Sequence, residues 1–173
     1  MTLNISDRNK LLSDPQIEPE QHEVALKALE SMTVEILFRE SGPLKSDTDP
    51  IIVNHACAIT DISLSQKRPF AFLLCCIVGE ALAHLVNPAA IPYLEKSVLL
   101  YDEKFPHADS PEMVGNSLEI LGAIKHAQGD RDAATAHFAR ALAIYSENMG
   151  PDHYRTVQCR IKVRQVLEGE APL

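Results

Sequence analysis

The chain has 173 residues, of which 46% are hydrophobic and 23% are charged, as is ordinary for a globular protein able to bury the core of one domain. Sixteen basic residues against 24 acidic ones give a formal net charge of -8. Because no basic field exists to attract a phosphate backbone, the composition argues against nucleic acid as a partner.

The N-terminal sequence predicts a tail and gives no export signal. Residues 1–21 carry two Asp/Glu-Pro breaks and no sustained periodicity, so we expect a flexible tail there. They lack the charged start and continuous apolar run of a secretory signal, which favours a cytoplasmic location. The longest apolar run, FAFLLCCIVG at 70–79, is too short to cross a bilayer, so it predicts a buried helix and no membrane partner.

Apolar periodicity predicts an all-α chain of seven helices. The first helix, 22–40, keeps Ala25, Leu29, Met32, Ile36 and Leu37 on one face. Ser41-Gly42-Pro43 ends it, because glycine accepts the left-handed terminal conformation and proline cannot continue the hydrogen-bond ladder. The other helices are predicted at 50–64, 69–86, 88–105, 111–127, 131–149 and 153–168.

Several of these helices begin with a recognisable capping signal. A polar residue before proline can cap a helix whose first turn the proline pre-sets, and this device occurs at Asp49-Pro50, Asn87-Pro88 and Ser110-Pro111. Near the C-terminus, Gly150-Pro151 predicts a chain reversal and Asp152 a new helix start.

Two helices repeat each other with an offset of 44 residues. The segment YLEKSVLLYDEKF from Tyr93 aligns with HFARALAIYSENM from His137. The apolar stripe of the first is Ala90, Leu94, Val98, Tyr101 and Phe105, and that of the second is Ala134, Phe138, Leu142, Tyr145 and Met149. Each is preceded by a matching helix, since VGEAL from Val78 corresponds to LGAIK from Leu121. A fixed period of helix, turn and helix indicates stacked hairpins.

The second copy resembles the tetratricopeptide repeat family, in the longer variant seen in kinesin light chains. The residues that carry the resemblance are Leu121-Gly122, Gly129, Ala134, Phe138, Ala141 and the turn GPDH at 150–153. It covers about residues 70–168, and Leu94 and Ser97 depart from the pattern in the first copy. The resemblance implies a short right-handed superhelix of antiparallel hairpins with a C-terminal capping helix, preceded at 22–69 by a degenerate hairpin or cap.

The small residues of this pattern also have a physical interpretation. Gly122 and Ala134 are placed where two antiparallel helices would approach most closely, so a larger side chain would overpack the crossing by about 1–3 kcal/mol. Phe138 would fill the space beyond that contact, and removing its ring would cost about 3–5 kcal/mol.

Tetratricopeptide stacks line a concave groove with the first helix of each hairpin, and the resemblance implies a peptide-binding groove here. The candidate groove residues are Leu73, Cys76, Glu80, Asn116, Glu119, Ala123, His126, Cys159 and Lys162. Asn116 would hydrogen-bond the ligand backbone, while Glu80 and Glu119 would favour a basic ligand. The expected function is therefore a non-catalytic adaptor or scaffold that binds a protein or peptide.

Other site chemistries find little support in the spacing. The seven histidines form no His-x-x-x-His pair, and the four cysteines form no Cys-x-x-Cys pair, so neither a metal site nor a disulfide framework is expected. Cys75 and Cys76 lie in the most apolar segment, where burial raises a thiol's pKa and weakens it as a nucleophile. No cofactor and no catalytic residue is predicted.

The N-terminal helices leave three alternatives open. Repeat arrays need three or more units with capped ends, and fewer are recognisable here. The helices at 22–40 and 50–64 could cap the stack and leave a monomer, or pair with a second chain in a homodimer. In the third alternative, helix 22–40 occupies the groove until a partner displaces it.

Overall fold

A computed structural model of the chain describes residues 18–39, 50–104 and 109–169. Within these ranges the chain is all-α and contains no strand, which confirms the predicted fold class. Seven helices follow one another: α1 (Pro19–Arg39), α2 (Pro50–Ser65), α3 (Ala71–His84), α4 (Ala90–Asp102), α5 (Pro111–Ala127), α6 (Arg131–Met149) and α7 (Tyr154–Glu168).

Local signals explain some of the helix ends. The Asp130 carboxylate accepts a hydrogen bond from the Ala133 amide at 3.1 Å and caps α6. The Asn87 side chain accepts one from the Ala89 amide at 3.0 Å ahead of α4. Gly150 adopts φ 94°, in the region that favours glycine, and reverses the chain between α6 and α7.

Some predicted boundaries were wrong by a few residues. Helix α1 begins at Pro19, so the tail predicted over 1–21 wrongly included the first three residues of this helix. Helix α7 begins at Tyr154 with His153 at its N-cap position, so Asp152 is not the capping residue. The signals at 41–43 and Asp49, the position of Phe105 and the tail up to residue 17 lie outside the described residues.

The helices pack against their neighbours in the chain. Contacts join α1 with α2, α2 with α3, and so on through α6 with α7. Alternate helices also pack together, as α1 does with α3 and α3 with α5, so the first helix of one hairpin lies beside the first helix of the next. The right-handed superhelical path implied by the resemblance remains a prediction.

The crossings of the two repeat copies are built alike. A Cβ placed on Gly79 would come within 2.8 Å of the Leu94 side chain, and one placed on Gly122 within 3.0 Å of the Phe138 ring. The sequence predicted that Gly122 would face Ala134. The atoms nearest Gly122 belong instead to the Phe138 ring, which fills the space beside the glycine. Ala134 itself is buried with Phe138 and Val166.

Helix α1 is held to α2 and α3 by a small core and a buried charge pair. Leu26 and Leu29 pack with Ile59 of α2 and Leu74 of α3. The predicted apolar face of α1 is therefore slightly rotated, since Leu26 is buried and Met32 is 40% exposed. Leu26, Leu29 and Leu37 of α1 are thus buried within their own chain.

The charge pair of α1 involves Glu30, which is fully buried. Arg68, in the turn between α2 and α3, donates to Glu30 from Nε at 2.7 Å and from Nη2 at 3.0 Å, and Ser63 donates to it at 2.5 Å. A third nitrogen of Arg68 donates to Glu23 at 2.5 Å. One guanidinium thus binds two carboxylates of α1, in the fork geometry that favours arginine at such sites.

Candidate functional site

The predicted groove residues lie on α3, α5 and α7, and several of them contact one another. We call the surface formed by Leu73, Glu80, Asn116, Glu119, Ala123 and Lys162 the first-helix face. It runs across three helices that are separated in the chain by α4 and α6. The residues differ in accessibility, because Glu80, Asn116 and Ala123 are at least partly exposed whereas Glu119 is buried.

A hydrogen bond joins α3 to α5 on this face. The Asn116 amide nitrogen donates to Glu80 Oε2 at 2.9 Å. His84 Nε2 lies 3.7 Å from the other oxygen of Glu80, one helical turn further along α3. Asn116 is therefore already bonded within the chain, and the Glu80 carboxylate remains 44% exposed.

Glu119 does not present its charge to an incoming ligand as expected. Its residue surface is only 8% exposed. Lys162 Nζ lies 3.0 Å from Glu119 Oε1, and the Tyr145 hydroxyl donates to Oε2 at 3.1 Å. The Glu119 charge is thus neutralised from α7 and its second oxygen is bound from α6, so the prediction that it would recruit basic side chains is wrong.

The two cysteines proposed for the groove are buried, so they do not line an accessible surface. Cys76 is 4% exposed, and desolvation raises its pKa to about 11. Cys159 is completely buried, and its thiol donates to the Phe138 carbonyl at 3.3 Å. Desolvation raises the Cys159 pKa to about 12. The neighbouring Cys75 is also buried with a pKa near 12, as predicted for core thiols.

Ala123 and His126 occupy the C-terminal half of α5. Ala123 is exposed, so a side chain added at this position would project from the first-helix face. His126 is partly buried, and its Nδ1 atom is buried without a hydrogen-bond partner. The remaining candidate, Leu73, lies at the opposite end of the face and contributes to a cleft.

This cleft lies between the N-terminal ends of α3 and α5 and has a volume of about 330 Å³. Ser110 is the one hydroxyl-bearing residue among the six that line it, namely Pro69, Phe70, Phe72, Leu73, Ser110 and Met113. No charged side chain is among them. Its size is at the lower end of the range for ligand sites in proteins. The sequence prediction included Leu73 alone, because the cleft exists only where α3 and α5 meet.

The first-helix face is acidic around the cleft. Helix α3 carries Glu80 and neither lysine nor arginine. Helix α5 carries Glu112 and Glu119 and has its first basic residue at Lys125, in its last turn.

The α7 cations Arg155 and Lys162 are paired with these two carboxylates of α5, and Arg155 Nε lies 3.1 Å from Glu112 Oε1. Among the lysines and arginines that the structure describes, none lies within ion-pair distance of the exposed carboxylates of Glu80 and Asp109.

Across the described residues, no three His, Cys, Asp or Glu side chains are grouped as they would be around a metal ion. None of the described helices is both long and apolar enough to span a membrane.

Comparison with known proteins does not assign the chain to a family. No protein-family model matches the sequence, and no curated protein matches it at a significant level.

Proposed function

We propose that this protein is a cytoplasmic protein interaction module that binds a peptide or partner protein on its first-helix face and catalyses no reaction. The observation that carries the proposal is the face itself, formed by α3, α5 and α7 and joined by hydrogen bonds between side chains far apart in sequence. The resemblance to tetratricopeptide repeats, whose first helices bind peptides, supports the same assignment.

The bonds between helices hold the binding surface in place. Asn116 fixes the Glu80 carboxylate, and Lys162 fixes the buried Glu119 carboxylate. A surface that is already ordered loses less conformational entropy when a ligand binds. Partly exposed polar groups beside an apolar cleft also match the usual composition of a binding surface, an apolar centre within a polar rim.

The proposal is tested by capture with a matched pair of variants. Ala123→Arg places a long cationic side chain on the first-helix face, and Ala139→Arg makes the same change on an exposed position of α6. Wild-type protein and both variants are used as bait with a cell extract, and captured proteins are quantified by mass spectrometry. We expect the specific partner to be captured by wild type and Ala139→Arg and lost with Ala123→Arg. Equal capture by both variants would place binding elsewhere.

A further inference from the structure

We propose that the partner carries a large apolar side chain that inserts into the cleft beside Leu73, with a lysine or arginine three residues away that pairs with Glu80. This inference rests on the proposed function and specifies the chemistry of the peptide that the first-helix face binds.

The lining of the cleft determines the anchoring residue. Two phenylalanines, a leucine, a proline and a methionine supply apolar contacts, and no charged side chain is present to pair with an ionic group. Aromatic rings favour offset or edge-to-face contacts with other rings, and methionine adapts its shape and makes favourable sulfur contacts with rings. At about 330 Å³ the cleft suits one side chain better than a whole cofactor. An aromatic residue such as phenylalanine therefore fits it best.

The charges around the cleft determine what flanks the anchor. Glu80 on α3 and Asp109, two residues before α5, carry exposed carboxylates, whereas Arg155 and Lys162 are paired with carboxylates of α5. The exposed Lys67 lies two residues before Pro69, which lines the cleft, and brings one positive charge near it in sequence. The balance on the first-helix face is negative, so basic flanking residues are attracted and acidic ones are repelled.

Helix geometry sets the spacing between anchor and charge. Leu73 and Glu80 are seven residues apart on α3, which places them on one side of the helix and about 10.5 Å apart along its axis. An extended peptide advances about 3.3 Å per residue, so three residues cover about 10 Å. A basic side chain three positions from the anchor therefore reaches the Glu80 carboxylate.

A symmetric heptapeptide tests this pattern without assuming a chain direction. The probe is acetyl-Lys-Ser-Ser-Phe-Ser-Ser-Lys-amide, which has a lysine three positions from phenylalanine on both sides. Binding is followed by NMR on the full chain labelled with ¹³C at its four methionine methyl groups. Met113 lines the cleft and serves as the reporter, whereas Met32 on α1 and Met149 on α6 are internal controls. The Met113→Leu variant assigns the reporter signal.

We expect the heptapeptide to shift the Met113 signal saturably while Met32 and Met149 stay in place. Replacing its phenylalanine with alanine should abolish the shift, and replacing both lysines with glutamate should weaken binding by about fivefold or more. Glu80→Gln should remove the advantage of the lysine peptide, whereas Glu95→Gln, at an exposed position of α4, should preserve it.

The inference is overturned if Met113 does not respond at millimolar peptide, if the alanine peptide shifts it equally, or if the acidic peptide binds as well as the basic one. Such results would leave the capture experiment with Ala123→Arg and Ala139→Arg unaffected. The peptide experiment can therefore refute the anchor motif without refuting the proposed binding function.

Discussion

The phenol ring of Tyr145 lies directly against the backbone of Gly115, so that a methyl carbon on Gly115 would stand 2.6 Å from the ring atom Cζ. The ring is completely buried, and its hydroxyl donates to Glu119. Burial and the neighbouring carboxylate together raise the pKa of Tyr145, so the phenol stays protonated and able to donate. Gly115 thus admits the ring that joins α6 to the buried carboxylate of α5.

Gly115→Ala should destabilise the protein even though alanine is the better helix former. Overpacking costs about 1–3 kcal/mol, which exceeds the helix gain of about 0.5–1 kcal/mol. Urea unfolding monitored by circular dichroism measures the difference. In a Tyr145→Leu background the ring is absent, so the alanine should be tolerated better. A rise in stability from Gly115→Ala alone would show that Tyr145 does not pack tightly against Gly115.

Glu119→Lys should destabilise the protein strongly, whereas Glu80→Lys, which loses one partly exposed hydrogen bond between helices, should cost only about 0.5–1.5 kcal/mol. Glu119 is buried between Lys162 and Tyr145, and reversing its charge leaves Lys162 facing a second cation. Because Lys162 is partly exposed and screened, we expect a loss of roughly 2–4 kcal/mol. Equal unfolding midpoints for the two variants would contradict the burial of Glu119.

Removing one partner of the Glu30–Arg68 pair should loosen α1. In the Arg68→Leu variant, Glu30 remains buried without its cation, a loss that costs about 3–5 kcal/mol for buried pairs. The double variant Glu30→Met/Arg68→Leu leaves no unpaired charge and should recover most of the loss. Hydrogen exchange of the α1 amides measures the effect, with α6 as the internal reference. Unchanged α1 protection in Arg68→Leu would mean that the pair does not hold the helix.

Val86→Gly should stabilise the protein. Val86 has φ 53° at the end of α3, where its amide bonds to the Ala83 carbonyl and the Asn87 amide to that of Leu82. This is a glycine-type helix termination, and Gly129 takes the same place after α5 with φ 81°. Removing the left-handed strain at Val86 should stabilise the native state by about 1–2 kcal/mol. Glycine also raises the conformational entropy of the unfolded chain, which offsets part of this gain and leaves a net stabilisation of about 0.5–1 kcal/mol. Val86 is 89% exposed, so little packing is lost. A lower midpoint temperature of thermal unfolding for Val86→Gly than for the wild type would contradict this interpretation.

The four thiols should differ in reactivity. Desolvation raises the pKa values of Cys75 and Cys159 to about 12 and that of Cys76 to about 11, whereas Cys57 is only partly buried. At about pH 8, below the ordinary thiol pKa, iodoacetamide should therefore label Cys57 first in the native protein. Peptide mapping by mass spectrometry identifies the labelled residue, and urea-unfolded protein provides the control in which all four react. Early labelling of Cys76 would contradict its burial.

The sequence predicted the helices well where a breaker marks both ends. The bounds of α5 and α6 agree with the prediction, because Pro111, Gly129 and Gly150 punctuate them. It predicted the ends of α3 and α4 less well, since the left-handed residues there are Val86 and Lys104, which give no sequence signal for a turn.

The candidate site was predicted only in part, because side-chain accessibility depends on distant residues. Helical spacing grouped Asn116, Glu119 and Ala123 on one stripe, yet Glu119 is buried by Lys162, 43 residues further along the chain. Glu30 is likewise buried by a partner 38 residues away. Periodicity describes one helix at a time, so it does not reveal which polar residue a second helix will cover.

The most direct measurement of the central claim is the affinity of a captured partner for the two arginine variants, determined by isothermal titration calorimetry. If the first-helix face is the binding surface, Ala123→Arg should weaken binding by about tenfold or more and Ala139→Arg should leave it unchanged. Equal affinity of wild type and Ala123→Arg, with both proteins fully folded, would contradict the proposed site.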